Sequence, residues 1–158
     1  MRHSPSRRRS GFTFIEILVV FVVFAAVAAI SLRSVGDTIR RDRVAKVGAI
    51  VGSDIEQAFS IAARQRLPVR MLVDRPNKTF TIVDRNTPTL IYKTRSFTRS
   101  GDYSVDSLWS NRDTIDIMPN GLATDTLKLS LIIYTRGGAT YEKSVRSSIA
   151  GLVRLDNR

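Results

Sequence analysis

An unbroken apolar run near the N-terminus constrains this chain more than any other feature. Residues 12–32 are mostly apolar, and residues 17–30 contain no polar side chain at all. A helix over residues 12–32 would extend roughly 30 Å, which is enough to cross a bilayer. Arg7, Arg8 and Arg9 precede the run. The positive-inside bias places them in the cytoplasm and the C-terminal part of the chain across the membrane.

The same pattern is typical of two kinds of N-terminal segment. A basic stretch before an apolar run also begins an ordinary secretory signal peptide, and Ala26-Val27-Ala28 imitates its cleavage site. Glu16 favours the other kind, a retained membrane helix, because its carboxylate lies inside the apolar run. An unpaired charge there costs at least about 2 to 3 kcal/mol. Glu16 therefore needs a specific partner.

The residues around Glu16 form a recognisable processing signal. They read Ser10-Gly11-Phe12-Thr13-Phe14-Ile15-Glu16, and this segment resembles the type III signal of type IV prepilins and type II secretion pseudopilins. The resemblance implies that a prepilin peptidase removes a leader of residues 1–11 by cutting between Gly11 and Phe12, that Phe12 is N-methylated, and that the apolar helix is retained. The amine freed at Phe12 would pair with Glu16 of a neighbouring subunit, which assigns Glu16 to filament assembly.

A helical pattern continues beyond the apolar run. Apolar residues recur at spacings of mostly three or four until Pro68 ends the pattern, which predicts an amphipathic extension over residues 33–67. Its apolar positions are Val35, Ile39, Val47, Ile50, Val51, Ile55, Phe59 and Ala62. Its polar positions, expected to face solvent or the filament, are Asp37, Arg40, Arg41, Asp42, Lys46, Asp54, Glu56 and Arg64.

Two glycines in this extension have a spacing known from helix packing. Gly48 and Gly52 fit the small-xxx-small pattern that allows helices to approach closely, as do Ala25 and Ala29 in the apolar run. Chance placement of small residues explains the same spacing, so both interpretations stay open.

The residues after Pro68 read as a series of short strands. Val69–Asp74 and Thr79–Asp84 flank a four-residue turn and predict a hairpin. Further strands are predicted at residues 89–95, 114–118, 126–135, 139–146 and 151–155, with a tight turn at Gly137-Gly138. Residues 96–112 are polar and are expected to form a long variable loop. The sequence therefore predicts an α+β fold: a long N-terminal helix, membrane-spanning in its first half and amphipathic in its second, packed on a periplasmic antiparallel β-domain over residues 68–158.

Three later segments resemble one branch of these proteins, the H-type minor pseudopilins of the general secretion pathway protein H family. The segments are residues 55–69, where the helix runs into the first strand, residues 115–121 with a Pro-Asn-Gly turn, and residues 148–154 with a closing glycine turn. The resemblance implies a structural minor pseudopilin of a type II secretion pseudopilus, single-pass in the inner membrane with its N-terminus cytoplasmic. The implied partners are the prepilin peptidase/methylase, other pilin-like subunits and inner-membrane lipid.

The net charge of +11 leaves a second interpretation open. Without residues 1–11 the chain still has 21 Lys and Arg against 14 Asp and Glu, an excess that favours anionic partners. Some related minor pilins of the type IV pilus bind DNA in natural transformation through a C-terminal Gly-Arg-x-Arg tail, whereas this chain reads Gly151-Leu152-Val153-Arg154. The candidate DNA contacts, for which ordinary solvated charges are the alternative, are Arg136, Lys143, Arg146, Arg154 and Arg158.

Catalysis is the interpretation that composition supports least. The chain has no Cys, and its one His, His3, lies in the segment expected to be removed, so thiol and imidazole chemistry are excluded from the mature protein. The candidate metal ligands form one acidic cluster, but its spacing matches no metal-binding loop, and its members are expected to serve turns: Asp102, Asp106, Asp113 and Asp116. We expect no enzyme activity, no cofactor and no metal.

Overall fold

The computed structural model describes residues 12–98, 103–134 and 138–157, with the side chains of residues 30–35, 37 and 157 outside that description. The first element of the described residues is one long helix, α1 (Phe14–Gln65). It ends just before Pro68, as the sequence predicts, because proline disfavours helical geometry in the residue before it. The chain divides into two units, Met1–Asp37 and Thr38–Arg158.

The described part of the first unit consists mainly of the first turns of α1, whose apolar side chains are exposed. The exposed fractions of Phe14, Phe21 and Phe24 are 81%, 69% and 72%. The side chains of the last residues of the predicted membrane span, residues 30–32, lie outside the described set. Among the residues that were described, no helical segment has both the length and the hydropathy needed to cross a membrane.

Within the described residues, eight strands follow α1 and form two antiparallel sheets. The strands are β1 (Val69–Asp74), β2 (Thr79–Asp84), β3 (Ile91–Ser96), β4 (Ser107–Ser110), β5 (Thr114–Ile117), β6 (Leu127–Tyr134), β7 (Thr140–Ser147) and β8 (Val153–Asn157). The first sheet has the order β3-β2-β1-β5 and the second sheet the order β4-β6-β7-β8. The predicted hairpin of β1 and β2 is confirmed at the expected residues.

Both sheets contribute to one hydrophobic core with the second part of α1. Val47, Val51 and Ile55 are fully buried, and their spacing confirms the amphipathic pattern. Ile39, which was predicted to share that face, is instead 53% exposed. The sheets add the buried side chains of Val69, Met71, Val73, Phe80, Ile82, Ile115, Ile117, Leu127, Leu129, Leu131 and Val145. The predicted α+β fold, a helix packed on antiparallel sheets, is therefore confirmed.

Gly48 and Gly52 let the second sheet approach α1 closely. A Cβ atom placed on Gly48 would lie 2.5 Å from Cγ of Lys143, and one placed on Gly52 would lie 3.3 Å from Cγ1 of Val153. Both glycines are buried. Within this chain the small-xxx-small spacing therefore serves the approach of a sheet to the helix.

The segment expected to be a long loop, residues 96–112, contains strand β4. Leu108 of β4 lies opposite Leu131 of β6, and Trp109 lies opposite Ser130. Leu108 is buried, and so is Phe97 earlier in the segment. The loop prediction was wrong here because a four-residue strand at a sheet edge, set among polar residues, gives almost no alternating pattern.

Asp54 lies on the buried side of α1, although its sequence position indicated the polar face. Its carboxylate is 2.7 Å from both Nζ of Lys93 and Nε of Arg95 in β3, and its side chain is 3% exposed. The prediction that Asp54 faces solvent was wrong because sequence pattern does not separate a buried, paired acid from a solvated one. Arg40 also contacts the β-domain, since its guanidinium donates a hydrogen bond to the carbonyl of Tyr134 at 2.8 Å.

Candidate processing and assembly sites

The first turn of α1 is closed by a reciprocal cap between Thr13 and Glu16. The backbone amide of Glu16 donates to Oγ1 of Thr13 at 3.3 Å, and the amide of Thr13 donates to Oε2 of Glu16 at 3.5 Å. This Thr-x-x-Glu arrangement is a capping box, which satisfies amides that have no partner within the helix. The helix dipole also stabilises a carboxylate in the first turn. Glu16 therefore has an intramolecular partner in the single chain.

The predicted processing residues lie at the edge of the described range. Phe12 precedes α1, is not helical, and has a side chain that is 78% exposed. Gly11 and the rest of the leader, residues 1–11, lie outside the described residues, so the cut between Gly11 and Phe12 stays a prediction. Glu16 is exposed on a helix surface that is otherwise apolar, which leaves its carboxylate open to a charged partner from another chain.

The predicted anion contacts that the structure describes lie on two faces of the second sheet. Arg146 of β7 lies opposite Arg154 of β8, on the face away from α1. Lys143 of β7 lies on the other face, where its side chain covers Gly48, since residues an odd number apart along a strand point to opposite faces. Arg136 and Arg158 lie outside the described residues. DNA contact at these positions stays a prediction.

Two acids of the candidate metal cluster, Asp113 and Asp116, are paired with arginines. The carboxylate of Asp116 is 2.6 Å from Nε of Arg70 and 2.9 Å from Nε of Arg85. The hydrogen bond from Arg70 holds the pKa of Asp116 below its usual range, although burial opposes this effect. The carboxylate of Asp113 is 2.9 Å from Nε of Arg75. Both acids were expected to serve turns, and the structure shows them in ion pairs instead.

The remaining acids of that cluster add no metal ligand set. Asp106 accepts a hydrogen bond from the backbone amide of Tyr134 at 2.8 Å, and Asp102 lies outside the described residues. In the part of the chain that the structure describes, no three His, Cys, Asp or Glu side chains are grouped as metal ligands.

Two residues at these sites were missed in the sequence. Thr13 forms the helix cap, and its signal was present, because Thr-x-x-Glu ahead of an apolar run marks a helix N-terminus. Lys128 of β6 lies opposite Arg146 and extends the pair with Arg154 to a row of three cations. A single Lys in an apolar strand gives no signal until the strand register is known.

Comparison with known protein families assigns the N-terminal segment. The family described as Prokaryotic N-terminal methylation motif matches residues 6–32, which include Gly11, Phe12 and Glu16. No curated protein matches the chain. This motif at the start of α1, together with a helix packed on antiparallel sheets, defines a pilin-like protein.

The fold of this pilin-like protein is similar to that of a minor pilin. Two crystal forms of the type IV minor pilin FimU from Pseudomonas aeruginosa strain PAO1 match it at 12% sequence identity. The first match has a TM-score of 0.57 and covers 74% of this chain and 90% of the FimU chain in that crystal. The second has a TM-score of 0.53 and covers 72% and 92%. The resemblance to pilin-like proteins is therefore confirmed, whereas membership of the H-type pseudopilin family stays a prediction.

Proposed function

We propose that this chain is a structural minor subunit of a type II secretion pseudopilus, built into the filament through its N-terminal helix. The observation that carries the proposal is the methylation motif over residues 6–32, placed on a helix whose later part is buried in a pilin-like fold. The exposed apolar surface of residues 14–24 supports it, because such a surface needs lipid or other helices around it. A structural role needs no catalytic group, and the protein is proposed not to be an enzyme.

Cleavage by a prepilin peptidase is the first step of this function. Mass spectrometry of the purified protein tests it, and the expected mature chain begins at N-methylated Phe12. A mature chain that begins near Ser31 would identify an ordinary signal peptide and overturn the assignment. Gly11→Leu should keep its leader, because the peptidase must accommodate a small side chain at the cut. Normal processing of Gly11→Leu would place the cut elsewhere.

Residence in the inner membrane before assembly is the second step. The proposed subunit crosses the membrane once, with a cytoplasmic N-terminus and a periplasmic β-domain. Protease added to intact spheroplasts should then degrade the β-domain, whereas a tag fused ahead of Met1 in the uncleaved Gly11→Leu variant should survive until the cells are lysed. Protection of the β-domain would contradict this orientation.

Pairing between subunits is the third step, and Glu16 is the residue that carries it. Its carboxylate is exposed in the single chain, and the amine freed at Phe12 supplies a cation only after cleavage. In a bundle of helices, attraction between the carboxylate and the amine would offset the free-energy cost of burying the two charges. Such pairing would fix the register between the helices of neighbouring subunits and would add little to the stability of the filament.

The choice between a secretion pseudopilus and a type IV pilus depends on the partners in the cell. Similarity to a protein named as a type IV minor pilin supports a minor subunit in either filament. Loss of protein secretion in a deletion strain, with crosslinks to other pseudopilins, would support the secretion role. Intact secretion with loss of DNA uptake would support the alternative, a DNA-binding minor pilin, for which Arg146 and Arg154 are the predicted contacts on the outer sheet face.

A further inference from the structure

Three cations line up across neighbouring strands of the second sheet, on the face away from α1. The register places Lys128 of β6 opposite Arg146 of β7, and Arg146 opposite Arg154 of β8. Neighbouring strands lie about 4.8 Å apart, so the row spans roughly 10 Å. Like charges directly opposite each other destabilise a sheet. The row is therefore a feature that folding alone disfavours.

The chain itself neutralises this row only in part. Nε of Arg146 is 3.3 Å from Oδ2 of Asp156, and both side chains are about half exposed. Nζ of Lys128 lies 5.6 Å from the ring centre of Trp109. Arg154 has no ion pair with any described residue. The row therefore keeps a net positive charge that is open to solvent.

A groove of about 610 Å³ opens beside the row, at the turn between β7 and β8. All three cations line it, and Asn111, Ser148 and Leu152 are among the other residues that do. None of the described residues lining the groove is acidic or aromatic. A concave surface lined by charges of one sign concentrates ligands of the opposite charge.

One side of the groove is an exposed aliphatic surface on a well-fixed turn. Leu152, which lines the groove, is 59% exposed, and Ile149 of the same turn, next to the groove lining, is 46% exposed. The amide of Ser148 donates to the carbonyl of Leu152 at 2.9 Å, and the amide of Leu152 donates back to Oγ of Ser148 at 3.0 Å. Because the turn is already ordered, a partner that binds there loses little affinity to ordering it.

The side chains of the groove distinguish between classes of anionic partner. Binding of single-stranded nucleic acid combines a basic groove with aromatic rings on which successive bases stack, and the exposed ring that Lys128 contacts, Trp109, lies outside the groove lining. Duplex DNA is held through several phosphate contacts at once. The groove offers three cations and aliphatic side chains. A protein segment that carries carboxylates beside a large apolar side chain satisfies both features.

We infer that this groove binds a short acidic segment of a partner protein, with an apolar side chain seated against Leu152. The inference goes beyond the proposed filament role and does not depend on it. Failure of peptide binding would leave the processing and assembly experiments untouched.

Fluorescence anisotropy on the full-length protein in detergent tests the inference. The probe is a labelled short peptide of alternating Glu and Leu. Comparison peptides replace Glu by Gln or Leu by Ser, and labelled single-stranded and duplex oligonucleotides represent nucleic acid. The Glu-Leu peptide should bind most tightly, and its affinity should fall as salt is added. Equal binding of the Gln-Leu peptide would overturn the inference.

Variants locate the binding on the groove. The double variant Arg146→Gln/Arg154→Gln should weaken peptide binding by about tenfold or more, and Leu152→Ser should weaken it by a smaller factor. Arg64→Gln removes one charge from an exposed position on α1 and should leave the affinity unchanged. An unchanged urea midpoint would confirm that each variant is folded.

Two results would count against an acidic segment. One is wild-type affinity for the peptide in the folded double variant. The other is tighter binding of an oligonucleotide than of the peptide, lost in the same double variant, which would assign the groove to nucleic acid.

Discussion

The carboxylate of Asp54 in α1 accepts two hydrogen bonds from the guanidinium of Arg95 in β3, at 2.7 and 3.2 Å. Nζ of Lys93 lies 2.7 Å from Oδ1 of the same carboxylate, the oxygen that also accepts the longer bond from Arg95. These contacts join the helix to the edge strand of the first sheet. A carboxylate that is removed from water depends on such partners, because its desolvation is otherwise uncompensated.

Asp54→Asn should destabilise the β-domain by about 3 kcal/mol, since it leaves two cations against the helix without their counter-charge. Urea denaturation of the full-length protein in detergent, followed by the fluorescence of the one Trp, Trp109, measures the change. Asp113→Asn is the matched control. Its pair with Arg75 is about half exposed on both sides, and its loss should cost less than about 1 kcal/mol. Equal losses in the two variants would contradict the structural role given to Asp54.

Gly151→Ala should destabilise the chain more than Gly121→Ala does. Both glycines have positive φ, 81° and 79°, so alanine costs about 1 to 2 kcal/mol at either position. At Gly151 the added Cβ would also lie 2.9 Å from Cδ1 of Phe59, whereas at Gly121 it meets nothing within 4 Å. The difference between the two urea midpoints therefore isolates the contact between the closing turn and α1. Identical midpoints would show that the turn moves away freely.

Glu16→Val should be processed normally but should crosslink poorly to other pilin-like subunits. The freed amine at Phe12 then faces apolar side chains, which costs several kcal/mol where it is buried. Thr13→Ala is the informative comparison, because it removes the cap and keeps the carboxylate. We expect Thr13→Ala to weaken the first turn by about 1 kcal/mol and to assemble nearly as well as wild type. If Thr13→Ala fails as badly as Glu16→Val, the carboxylate acts through the cap.

Asp116 should contribute to acid sensitivity through Arg70. Because the hydrogen bond from Arg70 lowers its folded-state pKa, Asp116 stabilises the fold above its unfolded pKa of about 3.9, and this contribution is lost as the pH falls through the folded value. Arg70→Gln should therefore flatten the dependence of the urea midpoint on pH below about pH 4. Equal slopes of the urea midpoint against pH in wild type and Arg70→Gln would contradict this role of Arg70.

Arg112→Gln provides the comparison for this pH dependence. Its partner Asp125 also has a lowered pKa, but the backbone amide of Thr126 is the largest cause and is retained in the variant. The pH profile of Arg112→Gln should therefore stay close to that of wild type.

How far the sequence predicted this fold depended on how local each signal was. The hairpin of β1 and β2 was located to the residue, because alternation and the Pro76-Asn77 turn lie within a few positions of each other. Strand β4 was missed because its four residues give almost no alternating pattern, and only its pairing with β6 defines it. Asp54 was wrongly predicted to face solvent for a similar reason. Only its contacts with β3 distinguish it from Glu56, which is exposed on the same helix.

The functional residues were also predicted where their signal is contiguous in the sequence and missed where strand pairing brings them together. The processing signal is contiguous, so Gly11, Phe12 and Glu16 were named from the sequence, and the family motif matches the segment that contains them. The row of cations depends on the strand register, which the sequence does not give. Lys128 was therefore missed, and Lys143 was grouped with Arg146 and Arg154, although it lies on the opposite face of the sheet.

The cap between Thr13 and Glu16 also fixes the point at which the chain enters helical geometry. Phe12 stays outside α1, which begins at Phe14. Winding the helix further back would bring the proposed scissile bond into a ladder of backbone hydrogen bonds, where a protease could not take it as an extended substrate. Under the proposed function, the first turn of α1 would leave the bond between Gly11 and Phe12 outside the helix, and it would hold the carboxylate of Glu16 four residues from the new chain end. In the proposed order of maturation, cutting first and joining afterwards, the residues for both steps lie within the six positions from Gly11 to Glu16.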